Sequence, residues 1–175
     1  MVDANLIKRA SSGMSILCYS AIVVMPLFFV WIWIDFERVA LNLGENNALV
    51  MPESLNLLSR IMGFTLSVIP VALLIVGLFS LIKFLDNLQE SDYFNHQNSI
   101  YLGKFASMLL WSTLVRPITD ALVTVTITFN NPPEQRSVSF NLGTDEITGM
   151  FFGVLILVLS KLIAAFKEPR QACKR

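Results

Sequence analysis

The sequence predicts a mainly α membrane protein: an antiparallel four-helix transmembrane bundle with a small extracytoplasmic β-hairpin. Three observations lead there. The chain of 175 residues is 54% hydrophobic and only 15% charged, with a mean hydropathy of +0.62. A soluble domain carries roughly 25% charged residues, so too few are present here to cover a water-facing surface. Apolar runs long enough to cross a bilayer recur along the chain, and the basic residues gather at one set of run ends.

A hydrocarbon core about 30 Å thick takes roughly 20 residues of helix to cross. Met14–Ile34 meets that length without a charge, and so does Ile61–Ile82 within a span of about 61–84, ahead of Lys83. Ile147–Phe166 meets it with Lys161 near its end. Lys8 and Arg9 before the first run resemble the start of a signal peptide. The run is too long for one, however, and no small-x-small cleavage site follows, so it reads as a retained anchor. The third span starts at Ile100 and contains Arg116, Pro117 and Asp120.

Its end is set by what comes next. Val123-Thr124-Val125-Thr126-Ile127-Thr128-Phe129 alternates apolar and polar residues, largely β-branched, which favours strand. Asn130-Asn131-Pro132-Pro133 marks a turn, and Ser137–Leu142 alternates again before Gly143. The expectation is therefore a hairpin over residues 122–142 and a third helix ending at Asp120. The loop Ala40–Arg60 is expected to pack against that hairpin and help build an outer surface.

A charge at the membrane centre costs about 2.5–3.5 kcal/mol on the insertion scale, and less near the interface. Ending the helix at Asp120 puts Arg116 in its outer third, and the i,i+4 spacing puts both residues on one helical face. Three readings stay open. The pair is an interfacial ion pair that orients the helix end, or it is a polar ligand or ion site in an outer vestibule, or it belongs to a deep ion or proton pathway.

Orientation follows from Lys and Arg near the span ends. Lys8, Arg9, Lys83, Lys104, Lys161, Lys167, Arg170, Lys174 and Arg175 lie on one side, and only Arg38, Arg60 and Arg136 on the other. Both termini are thus expected in the cytoplasm. Trp31, Trp33 and Phe36 would form an aromatic belt at the outer interface, and Lys83, Lys104 and Lys161 would snorkel to the inner headgroups. Pro26, Pro70 and Pro117 fall inside three of the spans, and each is a potential kink. Gly149 and Gly153 form a GxxxG pattern that lets helix backbones approach closely, within the chain or between copies. Gly63, Gly77, Gly103 and Ala106 fit similar contacts.

Several classes of function find no support. Zero formal net charge offers no basic field for nucleic acid. Cys18 and Cys173 form no Cys-x-x-Cys pair, which argues against a disulfide framework or a zinc site. His96, the single histidine, stands near Glu90 and Asp92 without metal-ligand spacing. No catalytic motif or cofactor signature is present, so no enzymatic activity, metal or cofactor is expected.

The link before the third span reads Glu90-Ser91-Asp92-Tyr93-Phe94-Asn95-His96-Gln97-Asn98-Ser99-Ile100-Tyr101-Leu102. It has the form of a helix start, with Asn95 as cap. It also resembles a family of small four-span bacterial membrane proteins catalogued only as a domain of unknown function, whose link reads Gly-x-x-Phe-Ser-x-Glu-Asn with a Leu four residues later. Phe94, Asn98 and Leu102 match, while Ser91, Asn95 and Gln97 depart. The resemblance implies four spans and a bacterial inner membrane, but no activity. Together these readings point to a non-enzymatic inner-membrane accessory, sensor or partner-binding subunit. Its neighbours would be the lipid bilayer, another membrane protein or a second copy, and no nucleic acid. A small transporter or channel using Arg116 and Asp120 is the alternative.

Overall fold

The computed structural model describes residues 4–35, 56–89, 96–129, 132, 136, 138 and 142–165. Expectations placed on Phe36, on residues 36–55 of the first long loop, on Phe94 and Asn95 and on the basic tail lie outside them. Four helices follow in order: α1 Ala4–Ile34, α2 Leu57–Gln89, α3 His96–Thr128 and α4 Thr144–Ala165. All four are long and apolar enough to cross a membrane.

Each helix packs on its neighbour in the chain: α1 on α2, α2 on α3 and α3 on α4. The contacts run antiparallel. Ser11 of α1 donates to the Leu85 carbonyl near the end of α2, and Trp33 at the end of α1 meets Gly63 near the start of α2. Asn87 of α2 reaches Asn98 of α3, and Ser112 of α3 donates to the Pro70 carbonyl of α2 at 2.8 Å. The two ends of the bundle are here called the Asn98 end and the Arg116 end.

The burial pattern is that of a protein with lipid as its solvent. The buried apolar set is Cys18, Trp33, Ile82, Leu85, Leu102, Ala106 and Ile127, whereas serine, threonine, asparagine and glutamate supply more buried positions than that. Large apolar side chains lie outside, among them Leu27, Phe28, Trp111, Phe151 and Leu162. Between lipid-embedded helices no hydrophobic force acts, so close packing of small residues and interhelical hydrogen bonds hold them together. Four apolar helices with this inside-out pattern make a multi-pass membrane protein.

Two sequence expectations are corrected. The hairpin expected over residues 122–142 is not supported: Leu122–Thr128, its first strand, continues α3, no strand occurs among the described residues, and Asn130, Asn131, Pro133 and most of Ser137–Leu142 lie outside them. The alternation of valine and threonine suits a strand, but threonine can bond back to its own helix. Thr124 donates to the Asp120 carbonyl, Thr126 to that of Leu122 and Thr128 to that of Thr124, each at 2.8 Å. Thr124, Ile127 and Thr128 are buried, which is a helical rather than a two-residue period. Beyond the helix, Arg136 places its guanidinium 5.3 Å from the Phe129 ring centroid. The third helix therefore ends at Thr128 and not at Asp120. At 33 residues each, α2 and α3 are about 50 Å long at 1.5 Å per residue, well beyond a hydrocarbon core. The second correction concerns the aromatic belt. Trp31 is exposed as expected, but Trp33 is buried, its ring edge-on to Phe64 of α2 at 6.1 Å.

Candidate functional site

The polar residues of α3 and α4 form two groups, one at each end. At the Arg116 end, α4 starts beside the middle of the Arg116–Asp120 turn. Gly143 stands just before α4 and Glu146 sits in its first turn. Glu146 Oε2 accepts the Gly143 backbone N–H at 2.8 Å, the back-reaching half of a capping box, which satisfies an otherwise orphaned donor. That bond turns the carboxylate toward α3. Its other oxygen, Oε1, lies 3.6 Å from Arg116 Nε. Asp120 Oδ2 lies 4.0 Å from the same nitrogen. Both distances are ion pairing rather than hydrogen bonding.

The three groups differ in setting. The Arg116 and Asp120 side chains are 56% and 54% exposed, whereas that of Glu146 is 10% exposed. Arg116 is thus shared between one sheltered and one exposed carboxylate. Pro117, on the buried face, removes a backbone donor and leaves the Thr113 carbonyl without its usual partner one turn back. The helix nevertheless continues through it, as α1 and α2 do through Pro26 and Pro70. Thr119, also buried, donates to the Arg116 carbonyl at 2.8 Å.

Glu146 was not among the residues singled out from sequence. Its signal is the Gly-x-x-Glu spacing at the start of an apolar run, a helix-start pattern. Nothing in that pattern tells which residue of the preceding helix it will face.

Gly149 and Gly153 bring α4 onto α3 below this cluster. A Cβ on Gly149 would stand 3.0 Å from Thr113 Oγ1, and one on Gly153 would stand 2.7 Å from Leu110 Cγ. The GxxxG face is therefore used inside the chain.

At the Asn98 end the polar groups between the helices are neutral and enclosed, and the lysines Lys104 and Lys161 stay on the outside. Asn98 has no exposed surface, and its Oδ1 accepts from Asn87 Nδ2 at 2.9 Å. Ser99 and Ser160 exchange hydrogen bonds: each hydroxyl donates to the other residue's carbonyl, at 2.7 and 2.8 Å. Gly103 lets them meet, since a Cβ there would be 2.8 Å from Ser160 Oγ.

The family model described as Protein of unknown function (DUF2975) matches residues 12–166. The chain belongs to that family. Its membership agrees with the resemblance drawn from Phe94, Asn98 and Leu102, and two of those DUF2975-like positions, Asn98 and Leu102, are buried in α3. No curated protein matches the chain, and no solved structure matches it. Among the described residues no three histidine, cysteine, aspartate or glutamate side chains gather as a metal site would require.

Proposed function

We propose that this protein is a non-enzymatic accessory or partner-binding subunit of the bacterial inner membrane, with both termini in the cytoplasm, and that the Arg116–Asp120–Glu146 cluster is its outward-facing contact point. One observation carries the reading: every helix has a middle stretch without charge. Residues 10–34 of α1, 61–82 of α2, 105–115 of α3 and 147–160 of α4 contain no Asp, Glu, Lys or Arg. On α3 alone the gap is about 16 Å at 1.5 Å per residue. Proton relays and ion pathways place ionisable groups at that depth.

Several hydroxyls within this zone bond to their own helix, while Ser112 bonds across to α2 and the buried Ser15 hydroxyl has no partner among the described residues. Ser67 donates to the Gly63 carbonyl, Ser107 to Gly103 and Thr113 to Leu109, each one turn back on its own helix. A solute crossing the bundle would have to break such bonds. The excess of Lys and Arg at the Asn98 end supports a cytoplasmic position for it, which sends the exposed Arg116 and Asp120 to the opposite surface.

Reconstitution into liposomes tests this directly. The expected result is no protein-dependent flux of protons, monovalent cations or small anions. Flux that both Arg116→Ala and Asp120→Ala abolish would overturn the accessory reading and establish the transporter alternative. Orientation is checked by cysteine labelling: a cysteine at Asp120 should react with an impermeant reagent added from outside intact cells.

A further inference from the structure

Toward the Asn98 end, α2 and α3 leave between them a cleft of about 170 Å³. Val76, Phe79, Ser80 and Lys83 line it from α2, a spacing that keeps all four on one helical face, and Tyr101 and Lys104 line it from α3. Val76, Phe79, Lys83 and Lys104 are exposed, so the cleft opens to the outside of the bundle, where lipid lies. Lys83 Nζ stands 5.9 Å from the Tyr101 ring centroid. Among the described residues neither lysine has a carboxylate within ion-pairing distance, and Asp86, one turn along α2, does not reach them.

Two cations therefore converge on one small opening that no carboxylate among the described residues reaches. Lys83 lies about 9 Å from the end of α2 at 1.5 Å per residue, which is headgroup depth for a helix that overruns the hydrocarbon core. Val76 and Phe79 lie further into the bilayer along the same face. The order from the end of the bundle inward is cationic, then apolar, which is the order of a lipid.

We propose that this cleft holds one anionic glycerophospholipid of the adjoining leaflet. Its phosphate would sit between the Lys83 and Lys104 ammonium groups, with the Tyr101 hydroxyl as a further donor and an acyl chain along Val76 and Phe79. Basic pockets between transmembrane helices are suited to anionic headgroups, each lysine adding to the attraction. A zwitterionic headgroup would bring its own cation against the two lysines and gain less. Lys161 of α4 is exposed toward the same end but lies outside the cleft, so general surface attraction predicts an equal role for it and the cleft predicts none.

The test is native mass spectrometry of the full-length protein in detergent, titrated with phosphatidylglycerol or with phosphatidylcholine of the same chains. One phosphatidylglycerol should be retained per chain in preference to phosphatidylcholine. Lys83→Gln with Lys104→Gln should weaken that preference roughly thirtyfold, as expected for two basic groups near an anion. Lys161→Gln should leave it unchanged. Equal retention of both lipids, or equal loss in Lys161→Gln, would overturn the proposal, and so would displacement of the lipid by inorganic phosphate at matched concentration. A second arm needs no variant. A phosphatidylglycerol bearing a photo-reactive chain, mixed into liposomes with the wild-type protein, should label the peptides carrying Val76–Lys83 and Tyr101–Lys104, and uniform labelling of all four helices would also overturn the site.

Discussion

The two ends of the α3–α4 pair use polar groups in opposite ways. At the Asn98 end the groups that join the helices are neutral, largely enclosed and within hydrogen-bonding distance: Asn87 with Asn98 at 2.9 Å, Ser99 with Ser160 at 2.7 and 2.8 Å. At the Arg116 end the groups are charged, and the shorter ion pair is 3.6 Å, to an arginine more than half exposed. Neutral pairs can be buried at little desolvation cost once they are satisfied, whereas ions hold best when left partly wet. The difference teaches that the groups between the helices at the Asn98 end fix the fold, with Lys83, Lys104 and Lys161 left on its outside, whereas the pairing between α3 and α4 at the Arg116 end is itself made of charges. At the latter, helix continuity rather than side-chain pairing carries the stability.

The largest expected effect tests that last point. Val125→Pro removes a backbone donor inside α3 at an exposed position, so little packing is lost with it. It should destabilise the protein by about 3 kcal/mol in equilibrium unfolding from mixed micelles. A negligible change would mean that residues beyond Asp120 are not helical. Next comes Asn98→Leu, which leaves the Asn87 amide without its acceptor in an enclosed site. A loss of about 1–3 kcal/mol is expected by the same assay, and a neutral outcome would deny the Asn98 end its locking role.

These two residues also mark how far the sequence could be read. The four spans were legible because a bilayer demands length and apolarity, and both are local properties of a chain. The end of α3 was not. Val123–Phe129 has the alternation of a strand, yet its threonines bond to carbonyls one turn back and its helix is already nucleated by the apolar residues before it. In such a setting local propensity loses to the need to satisfy every backbone group within the segment. Arg116 and Asp120 could be paired from their spacing alone. Glu146 could not be added to them, because its approach depends on where α4 docks. The Ser99–Ser160 exchange, between residues 61 positions apart, left no mark in the pattern at all.

Smaller effects should appear at the Arg116 end. Glu146→Ala removes the Gly143 cap and a carboxylate at a helix N-terminus, and about 0.5–1 kcal/mol of stability should go with it. Glu146→Gln, which keeps the cap, should recover part of that loss, and no recovery would mean that the charge rather than the cap matters. The smallest effect is expected for Asp120→Asn, within about 0.5 kcal/mol of wild type, because the pair with Arg116 is long and exposed. A larger loss in unfolding measurements would show that Asp120 anchors the helix end rather than facing outward.

The contrast between the ends is tested most directly by two double-mutant cycles run side by side in mixed micelles. One pairs Asn87→Ala with Asn98→Ala, and the other pairs Arg116→Ala with Glu146→Ala. The expected coupling for the asparagines is about 0.6–1.7 kcal/mol, from the average to the maximum measured for polar pairs between membrane helices. For the ion pair no more than about 0.5 kcal/mol is expected, given its length and the exposure of Arg116. A coupling between Arg116 and Glu146 that equals or exceeds that of the asparagines would contradict the assignment of one end to holding the fold and the other to meeting a partner.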